Sequence, residues 1–294
     1  FSQKPTMRFV QFSRKSDPRL RLGVASEDGC KITELSSSSC LSNDMISFIK
    51  QNVSLDEISE KIKSKEPELV TDHIKILSPV QNPEKIICIG LNYAGHCREQ
   101  NKEPPKQPMF FSKFASAIVG PTDDVIAHSV SNKIDWEVEL AVVIGTEAKN
   151  VSREKALDYV FGYTVAQDIS ARDWQKELNG GQFLIGKSMD TFCPLGPSIV
   201  HKSLIPDPHN LVLTCKVNGE MKQCGNTDEL IFRIDDIIAR LSTCITLKPG
   251  DVILTGTPSG VGMHRKPPEY LKPGDVIESE IQCIGKLINK VVAS

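Results

Sequence analysis

The sequence predicts a β-rich α+β protein in which a small N-terminal α/β domain, residues 1–78, precedes a larger strand-rich domain, residues 79–294. Two observations predict this organisation. Short apolar runs that end in glycine or in turn residues predominate in the second part, and such runs are typical of strands. The proline-flanked stretch 79–83 lies between the two parts and has the composition of a linker.

The N-terminal part combines strand and helix patterns. Residues 7–12 alternate as a strand does, and the short apolar run 22–25 predicts a second strand. Residues 43–64 carry apolar residues at helical spacing, so we expect a helical region there. The stretch 34–44 is rich in serine and acidic residues and predicts a loop between the strands and the helical region.

The second part contains four apolar runs that predict strands, at residues 85–89, 138–144, 211–217 and 252–254. The third run leads into Asn218 and Gly219, a pair that is typical of a tight hairpin turn. Helices are predicted at 152–159, where Ser152 can act as the N-cap, and at 228–242, where six apolar residues share one face.

One seven-residue sequence, Leu-Lys-Pro-Gly-Asp-Val-Ile, occurs at residues 247–253 and again at 271–277. Pro-Gly predicts a turn whose glycine accepts a positive φ, and Val-Ile predicts the start of a strand. We interpret the two copies as similar strand entrances in one sheet. A solenoid is excluded because the period does not continue.

Composition and charge exclude several function classes. The net charge is −2 and charges of both signs are mixed along the chain, so no broad basic surface for nucleic acid is expected. No apolar run approaches the roughly 18 residues that a membrane span needs. The 9 cysteines contain no Cys-x-x-Cys pair, which argues against a structural zinc site.

Two glutamates beside the second apolar run carry the most information about chemistry. Glu137 and Glu139 are two residues apart, so on a strand their side chains project from the same face. Two such carboxylates repel each other unless positive charge lies between them, and Mg²⁺ prefers oxygen ligands. The alternative is an exposed edge strand with two ordinary glutamates. The flanking apolar run favours a central strand instead.

Three further positions could complete a site. Asp168, at the end of a strand-like run, is the candidate for a third ligand, although a helix N-cap or an Asx turn is also typical there. Lys187 could lie on the surface, hold a substrate carboxylate, or exchange a proton. The Gly-rich loop 255–262 could bind an anionic group through backbone N–H groups and the Thr257 hydroxyl, but it lacks the spacing of a nucleotide-binding loop.

His96 and Glu99 are three residues apart, so they share a face on a helical turn and can pair. Such a pair is either an ordinary surface contact or a base that a carboxylate orients. The polar, proline-containing residues 100–108 that follow predict a mobile flap that closes over the site.

Five motifs occur in an order that resembles the fumarylacetoacetate hydrolase family, and the resemblance covers roughly residues 80–294. Each motif is weak by itself, whereas the ordered set is specific. The motifs are Gly-Leu-Asn-Tyr-x-x-His at 90–96, Asp-Trp-Glu-x-Glu-Leu-Ala at 135–141, Asp168 with Ser-Ala-Arg-Asp at 170–173, Gly-Lys at 186–187, and Thr-Gly-Thr-Pro-x-Gly-Val-Gly at 255–262.

The resemblance implies a mixed β-sandwich or roll of the C-terminal type of this family, behind a small N-terminal α/β domain, and usually a homodimer. It implies a Mg²⁺ cofactor, with Mn²⁺ or Ca²⁺ as possible substitutes. The implied residues are the metal ligands Glu137, Glu139 and Asp168, the catalytic residues His96, Glu99 and Lys187, and the substrate-contacting residues Arg172, Gln175 and Thr257.

The resemblance also implies a small 2-oxo dicarboxylate as substrate. Resemblance to the animal members of the family favours one reaction, the tautomerisation of oxaloacetate from the enol to the keto form. The alternatives are carbon–carbon hydrolysis of acylpyruvates or other β-diketo acids, and oxaloacetate decarboxylation. A non-enzymatic metal-binding scaffold is the least favoured, because all three carboxylates are present. A mitochondrial matrix location is expected, with the transit peptide absent from this chain.

Overall fold

Strands dominate the computed structural model, which describes residues 7–36 and 41–294. The strands are, in chain order, β1 (Arg8–Arg14), β2 (Asp17–Ala25), β3 (Lys31–Glu34), β4 (Glu68–Leu69), β5 (Ile74–Leu77), β6 (Ile86–Gly90), β7 (Met109–Ser112), β8 (Ile118–Val119), β9 (Val125–Ala127), β10 (Ile134–Asp135), β11 (Val138–Ile144), β12 (Val160–Gln167), β13 (Ser170–Ala171), β14 (Cys193–His201), β15 (Val212–Val217), β16 (Glu220–Asn226), β17 (Val252–Leu254), β18 (Val276–Ile281) and β19 (Gly285–Ala293).

The helices are short. The α-helices are α1 (Met45–Gln51), α2 (Leu55–Lys63), α3 (Ala94–Glu99), α4 (Leu184–Ser188) and α5 (Ile234–Cys244). One segment, Trp174–Leu178, is π-helical. The 3₁₀ segments are Ala115–Ala117, Arg153–Tyr159, Lys202–Leu204, Thr227–Glu229 and Gly262–His264. Among the described residues, none of these helices has the length and apolar character that crossing a membrane requires.

The largest sheet has twelve strands and joins the two predicted parts of the chain. Its strand order is β4-β3-β2-β1-β14-β12-β11-β17-β6-β7, with β5 paired to β1 and β8 paired to β14. A five-stranded sheet, β16-β15-β18-β19-β9, contacts β11, β12 and β14. The expected β-rich α+β fold with mixed sheets is therefore confirmed. The domain boundary at residues 78 and 79 stays a prediction, and β1 pairs across it with β14.

Strand pairing brings several chain segments to one edge of the large sheet. β11 is buried throughout and lies between β12 and β17, antiparallel to both. β6 runs parallel to β17. The start of β11 therefore meets the ends of β12, β17 and β6, and the loops at these ends carry most of the motifs that the sequence analysis identified.

Turn chemistry predicts one hairpin correctly and explains why the helical region predicted at 43–64 is divided in two. Asn218 and Gly219, between β15 and β16, have φ of 53° and 78°, the left-handed pair that a tight hairpin needs. The helical region predicted at 43–64 is two helices, α1 and α2. Asn52 adopts a left-handed φ of 48° that ends α1, and the Ser54 side chain accepts the N–H of Glu57 to cap α2.

Two other predicted helices differ from the structure. The segment at 152–159 is a 3₁₀ helix, and Ser152 makes no side-chain cap there. The helix predicted at 228–242 begins only at Ile234, after a separate 3₁₀ turn at Thr227–Glu229. Of the predicted loop at 34–44, residues 37–40 lie outside the described residues. The cysteines that the structure describes are all free.

The repeated heptapeptide begins strands in two different sheets, so the prediction of a single sheet is wrong. β17 belongs to the twelve-stranded sheet and β18 to the five-stranded sheet. What the copies share is the turn. Asp251 Oδ2 accepts the N–H of Lys248 at 2.7 Å, and Asp275 Oδ2 accepts the N–H of Lys272 at 2.7 Å. The heptapeptide encodes the turn, while the neighbouring strands decide which sheet follows.

The two copies of the heptapeptide give a matched stability test. Gly250 and Gly274 have φ of 90° and 101°, and a Cβ at residue 250 would lie 2.7 Å from Cγ1 of Ile46, whereas one at 274 meets nothing within 4 Å. Left-handed backbone costs either alanine variant about 1–2 kcal/mol. Gly250→Ala should lower the Tm further, because Ile46 must also move. Equal losses of Tm would contradict the packing of α1 against this turn.

Candidate active site and metal centre

Three carboxylates meet at the sheet edge where β11 begins and β12 ends. Glu137, Glu139 and Asp168 each offer a carboxylate oxygen, and these three oxygens lie within 4.8 Å of one another. All three side chains are buried. The backbone N–H of Asp168 donates to the carbonyl of Glu137 at 2.9 Å, so the pairing of β11 with β12 itself brings them together.

The structure decides between the alternatives that the sequence left open for these residues. Glu139 lies on the buried central strand β11 and Glu137 directly precedes it, so the exposed edge strand is wrong. The Asp168 carboxylate accepts from two lysine ammonium groups, Lys113 at 2.5 Å and Lys187 at 2.6 Å, and does not cap a helix. All three carboxylates are thus directed into one buried site.

Positive side chains neutralise two of the three carboxylates. Lys187 Nζ lies 2.6 Å from Glu137 Oε2 and 2.6 Å from Asp168 Oδ2. Arg172 Nη2 lies 2.6 Å from Glu137 Oε1. Burial alone would raise the pKa of Glu137, but Arg172 and Lys187 together hold it below its ordinary value.

Glu139 has a different environment. Its Oε2 accepts the backbone N–H of Gly256 at 2.6 Å, and no cationic side chain of the described residues forms an ion pair with it. Burial, followed by the charges of Asp168 and Glu137, raises the pKa of Glu139 well above its ordinary value. A divalent cation facing the three carboxylates supplies the positive charge that Glu139 lacks, so the donor set fits a hard ion that prefers oxygen.

Sequence reasoning missed Lys113, the residue that follows β7. Its ammonium is fully buried, and it donates to Asp168 Oδ1 at 2.5 Å and to the carbonyl of Ile169 at 3.1 Å. The available signal was a lysine directly after the apolar residues of β7. That signal cannot identify the partner, because Lys113 and Asp168 are 55 residues apart in sequence.

Asp135 is a second residue to which the sequence analysis gave no role, although it lies inside a quoted motif. Its buried carboxylate accepts from Arg172 Nε at 2.9 Å and from the backbone N–H groups of Gly262 at 2.6 Å and Met263 at 3.0 Å. Asp135 therefore connects Arg172 to the Gly-rich loop and fixes the direction in which the guanidinium points.

A cavity of about 160 Å³ opens over the carboxylates. Seven of the nine predicted site residues line it, while Asp168 lies behind Lys187 and Glu99 lies behind His96. The seven are His96, Glu137, Glu139, Arg172, Gln175, Lys187 and Thr257. Apolar side chains complete the wall, and the ring of Phe111 lies 5.0 Å from the Lys187 ammonium. The structure thus brings seven of the predicted residues into one small cavity, and the other two contact members of that group.

The His96–Glu99 pair lies on α3 and is part of the site, so the surface-contact alternative is wrong. His96 Nδ1 is 2.8 Å from Glu99 Oε2, and His96 Nε2 is 2.8 Å from the side-chain amide of Gln100. Because that amide donates to Nε2, the partners assign the ring proton to Nδ1. The N–H of Gly260 donates to Glu99 Oε1 at 2.9 Å and holds the carboxylate in place. The mobility predicted for residues 100–108 stays a prediction.

The Gly-rich loop after β17 serves the site's own carboxylates. Three of its backbone N–H groups donate to acidic side chains: Gly256 to Glu139, Gly260 to Glu99 and Gly262 to Asp135. The Thr257 hydroxyl donates to the carbonyl of Val138 at 2.9 Å. The sequence allowed these N–H groups to bind an anionic group of a ligand. In the structure they position a candidate metal ligand and the partner of the candidate base.

The chain is similar to known proteins over nearly its whole length. A family model described as fumarylacetoacetate (FAA) hydrolase C-terminal matches residues 85–292. The chain is 49% identical to the oxaloacetate tautomerase fahd2, mitochondrial, of Xenopus laevis, over 99% of this chain and 92% of that protein. It is 46% identical to the oxaloacetate tautomerase FAHD2A, mitochondrial, of Homo sapiens, over 99% of this chain and 94% of that protein.

Solved structures share the whole fold. A fumarylacetoacetate hydrolase from the psychrophilic Exiguobacterium antarcticum aligns with a TM-score of 0.87 and 37% identity, over 98% of this chain and 100% of that chain. A maleylpyruvate hydrolase from Sphingobium sp. SYK-6, in complex with manganese(II) ion and pyruvate, aligns with a TM-score of 0.81 and 31% identity, over 98% of this chain and 100% of that chain.

Because Glu137 and Glu139 have different charged neighbours, replacement of each by glutamine should have opposite effects on thermal stability. The comparison is made in protein from which a chelator has removed any metal. Glu139→Gln removes a buried carboxylate that no cationic side chain of the described residues contacts, and it keeps an acceptor for Gly256. The Tm should therefore equal or exceed that of the wild type. Glu137→Gln removes the buried carboxylate that Arg172 and Lys187 both contact. It should lower the free energy of unfolding by on the order of 3 kcal/mol. Thermal denaturation of the three proteins in EDTA measures both effects. A Tm for Glu139→Gln below that of Glu137→Gln would contradict the assignment of charges.

Proposed function

The chain belongs to the fumarylacetoacetate hydrolase family, and on that premise we propose that it is a metal-dependent enzyme that converts the enol form of oxaloacetate to the keto form. One observation carries the proposal: a single small cavity is lined by two of the three clustered carboxylates, Glu137 and Glu139, and by a histidine that a carboxylate orients. The names of the relatives that match nearly the whole chain support the substrate. They also support a mitochondrial location.

We assign the metal to Glu137, Glu139 and Asp168, with Mg²⁺ as the first candidate and Mn²⁺ or Ca²⁺ as substitutes. Three carboxylates suit a hard cation that prefers oxygen. The manganese ion in the related maleylpyruvate hydrolase supports a divalent ion in this family. When bound, such a cation polarises a 2-oxo group and stabilises the negative charge that develops on its oxygen.

Lys187 has an electrostatic role in this proposal. Burial opposes its charge, but Asp168 and Glu137 raise the pKa of Lys187 above its ordinary value, so it stays a cation. A lysine held in this way is a poor proton donor and a good stabiliser of negative charge on the substrate oxygen. Arg172, Gln175 and Thr257 line the cavity and are proposed to orient the substrate.

His96 is the proposed proton carrier. Tautomerisation moves one proton from the hydroxyl oxygen on C2 of the enol to C3. His96 Nε2 accepts the hydroxyl proton once the Gln100 amide has moved away from it, and the imidazolium then delivers a proton to C3. Glu99, which accepts from Nδ1, stabilises the imidazolium between the two transfers.

Carbon–carbon hydrolysis is the second candidate. The same His96–Glu99 pair could activate a water molecule, and the maleylpyruvate hydrolase and fumarylacetoacetate hydrolase structures with the same fold favour this alternative. Decarboxylation of oxaloacetate would use the same polarised 2-oxo acid. A homodimer is proposed from the family resemblance, and light scattering after size-exclusion chromatography measures it.

Removal of the proposed base should stop the reaction while leaving the fold intact. With Mg²⁺ present, the purified protein should accelerate the decay of enol-oxaloacetate absorbance, and His96→Asn should lower kcat by about 10²- to 10⁴-fold. His73→Asn changes an exposed histidine on the N-terminal part and serves as the control, with an unchanged rate expected. EDTA should abolish the catalysed rate, and added Mg²⁺ should restore it.

Product analysis distinguishes the outcomes of this assay. Cleavage of acylpyruvates with the enol decaying at its uncatalysed rate would establish the hydrolase instead. Release of CO₂ and pyruvate above the spontaneous rate would establish the decarboxylase. Absence of all three activities in metal-loaded protein would contradict an enzymatic role.

Oxalate provides a binding test that does not depend on turnover, because it mimics the planar enolate of a 2-oxo acid. A ligand that binds only the folded protein raises its Tm. Oxalate should therefore raise the Tm in the presence of Mg²⁺ and should have no effect after chelation. A rise of equal size without metal would argue against chelation of the substrate by the ion.

A further inference from the structure

Two lysines at the mouth of the active-site cavity have no anionic partner among the described residues. Lys102, in the segment after α3, and Lys176, in the π-helical segment, both line the cavity. Within residues 7–36 and 41–294, neither ammonium group forms an ion pair or a hydrogen bond. The acidic residue next to Lys176 does not neutralise it, since Glu177 pairs with Lys133 at 3.1 Å.

The two lysines act on each other. Partial burial of its ammonium group, followed by the positive charges of Arg172 and Lys102, lowers the pKa of Lys176. An anion placed between the two ammonium groups would relieve their repulsion. This end of the cavity therefore favours binding of an anionic group of a ligand.

The other cations of the cavity are already engaged. Arg172 donates to Asp135 at 2.9 Å and to Gln175 at 3.1 Å, and it lies 2.6 Å from Glu137. Lys187 is shared between two carboxylates. A second carboxylate on the substrate can therefore find unpaired positive charge only at Lys102 and Lys176, among the cavity residues that the structure describes.

The cavity has two chemically different ends. The inner end holds the buried Glu137, Glu139 and Lys187, whereas Lys102 and Lys176 are exposed at the outer end. A 2-oxo acid whose carboxylate and keto oxygens occupy the inner end must direct the rest of its carbon chain outward. At about 160 Å³ the cavity is of a size for a short acid, so a carboxylate on C4 would arrive at its mouth.

We propose that Lys102 and Lys176 form a subsite for the distal carboxylate and thereby select dicarboxylic over monocarboxylic 2-oxo acids. The proposal rests on the proposed function, because that function places the 2-oxo acid group at the inner end. The two lysines determine specificity and do not touch the reacting atoms. Their contribution appears in substrate binding, not in proton transfer.

The test compares oxaloacetate with pyruvate, which lacks the distal carboxylate, on Mg²⁺-loaded protein. Calorimetric titration and steady-state kinetics are measured for the wild type and for the double variant Lys102→Met and Lys176→Met. The double variant should bind oxaloacetate about tenfold or more weakly and raise KM correspondingly, because a charged partner is lost. Its kcat and its affinity for pyruvate should each change less than about threefold.

Two further proteins control for loss of charge and for loss of structure. Lys106→Met removes an exposed lysine from the same segment that does not line the cavity, and it should bind oxaloacetate as the wild type does. Lys102→Arg with Lys176→Arg keeps both charges and should retain most of the affinity. The Tm of each variant is compared with the wild type, and an unchanged value is expected because both side chains are exposed.

The possible outcomes distinguish failure of the subsite proposal from failure of the proposed function. If the wild type turns over the enol and the double variant binds oxaloacetate as tightly as the wild type does, the subsite proposal is overturned and the proposed function stands. The same conclusion follows if the double variant loses affinity for pyruvate and oxaloacetate alike. If the wild type neither turns over the enol nor binds oxaloacetate, the proposed function fails and the subsite fails with it.

Discussion

Charge balance among buried carboxylates is the constraint on which the site depends. Burial of an ionised group is costly unless an opposite charge lies beside it. Lys187 and Lys113 meet this need for Asp168, and Lys187 with Arg172 meets it for Glu137. Glu139 is left without a cationic partner in the described residues, and this imbalance identifies the place where a divalent ion fits. Strand pairing matters because it brings these charges together from distant segments.

The Gly-rich loop couples the two chemical halves of the site. Its backbone N–H groups hold Glu139 at the metal end, Glu99 behind the base, and Asp135 behind Arg172. Gly256 and Gly260 both have φ of 103°, so the loop follows a path that residues with side chains rarely adopt. One short segment thus sets the relative positions of the metal ligands and the proton carrier, which a reaction between neighbouring oxygen and carbon atoms requires.

Local rules predicted the parts of the site that are close in sequence. The two-residue period placed Glu137 and Glu139 together, and helical spacing paired His96 with Glu99. The spacing of residues within a segment does not determine which strands pair. The contact of Lys113 with Asp168 could therefore not be predicted, and the prediction that both heptapeptides begin strands of one sheet is wrong. The position of Asp168 at the end of a strand-like run allows a third metal ligand, a helix N-cap or an Asx turn, and the family resemblance favours the ligand.

The position of the bound ion tests the assignment of the metal to Glu137, Glu139 and Asp168 without any intermediate step. A crystal of the protein grown with Mn²⁺, recorded at a wavelength where manganese scatters anomalously, locates the metal without reference to activity. We expect one strong anomalous peak bonded to an oxygen of each of Glu137, Glu139 and Asp168. A peak at another site, or an active protein with no peak between these carboxylates, would contradict it.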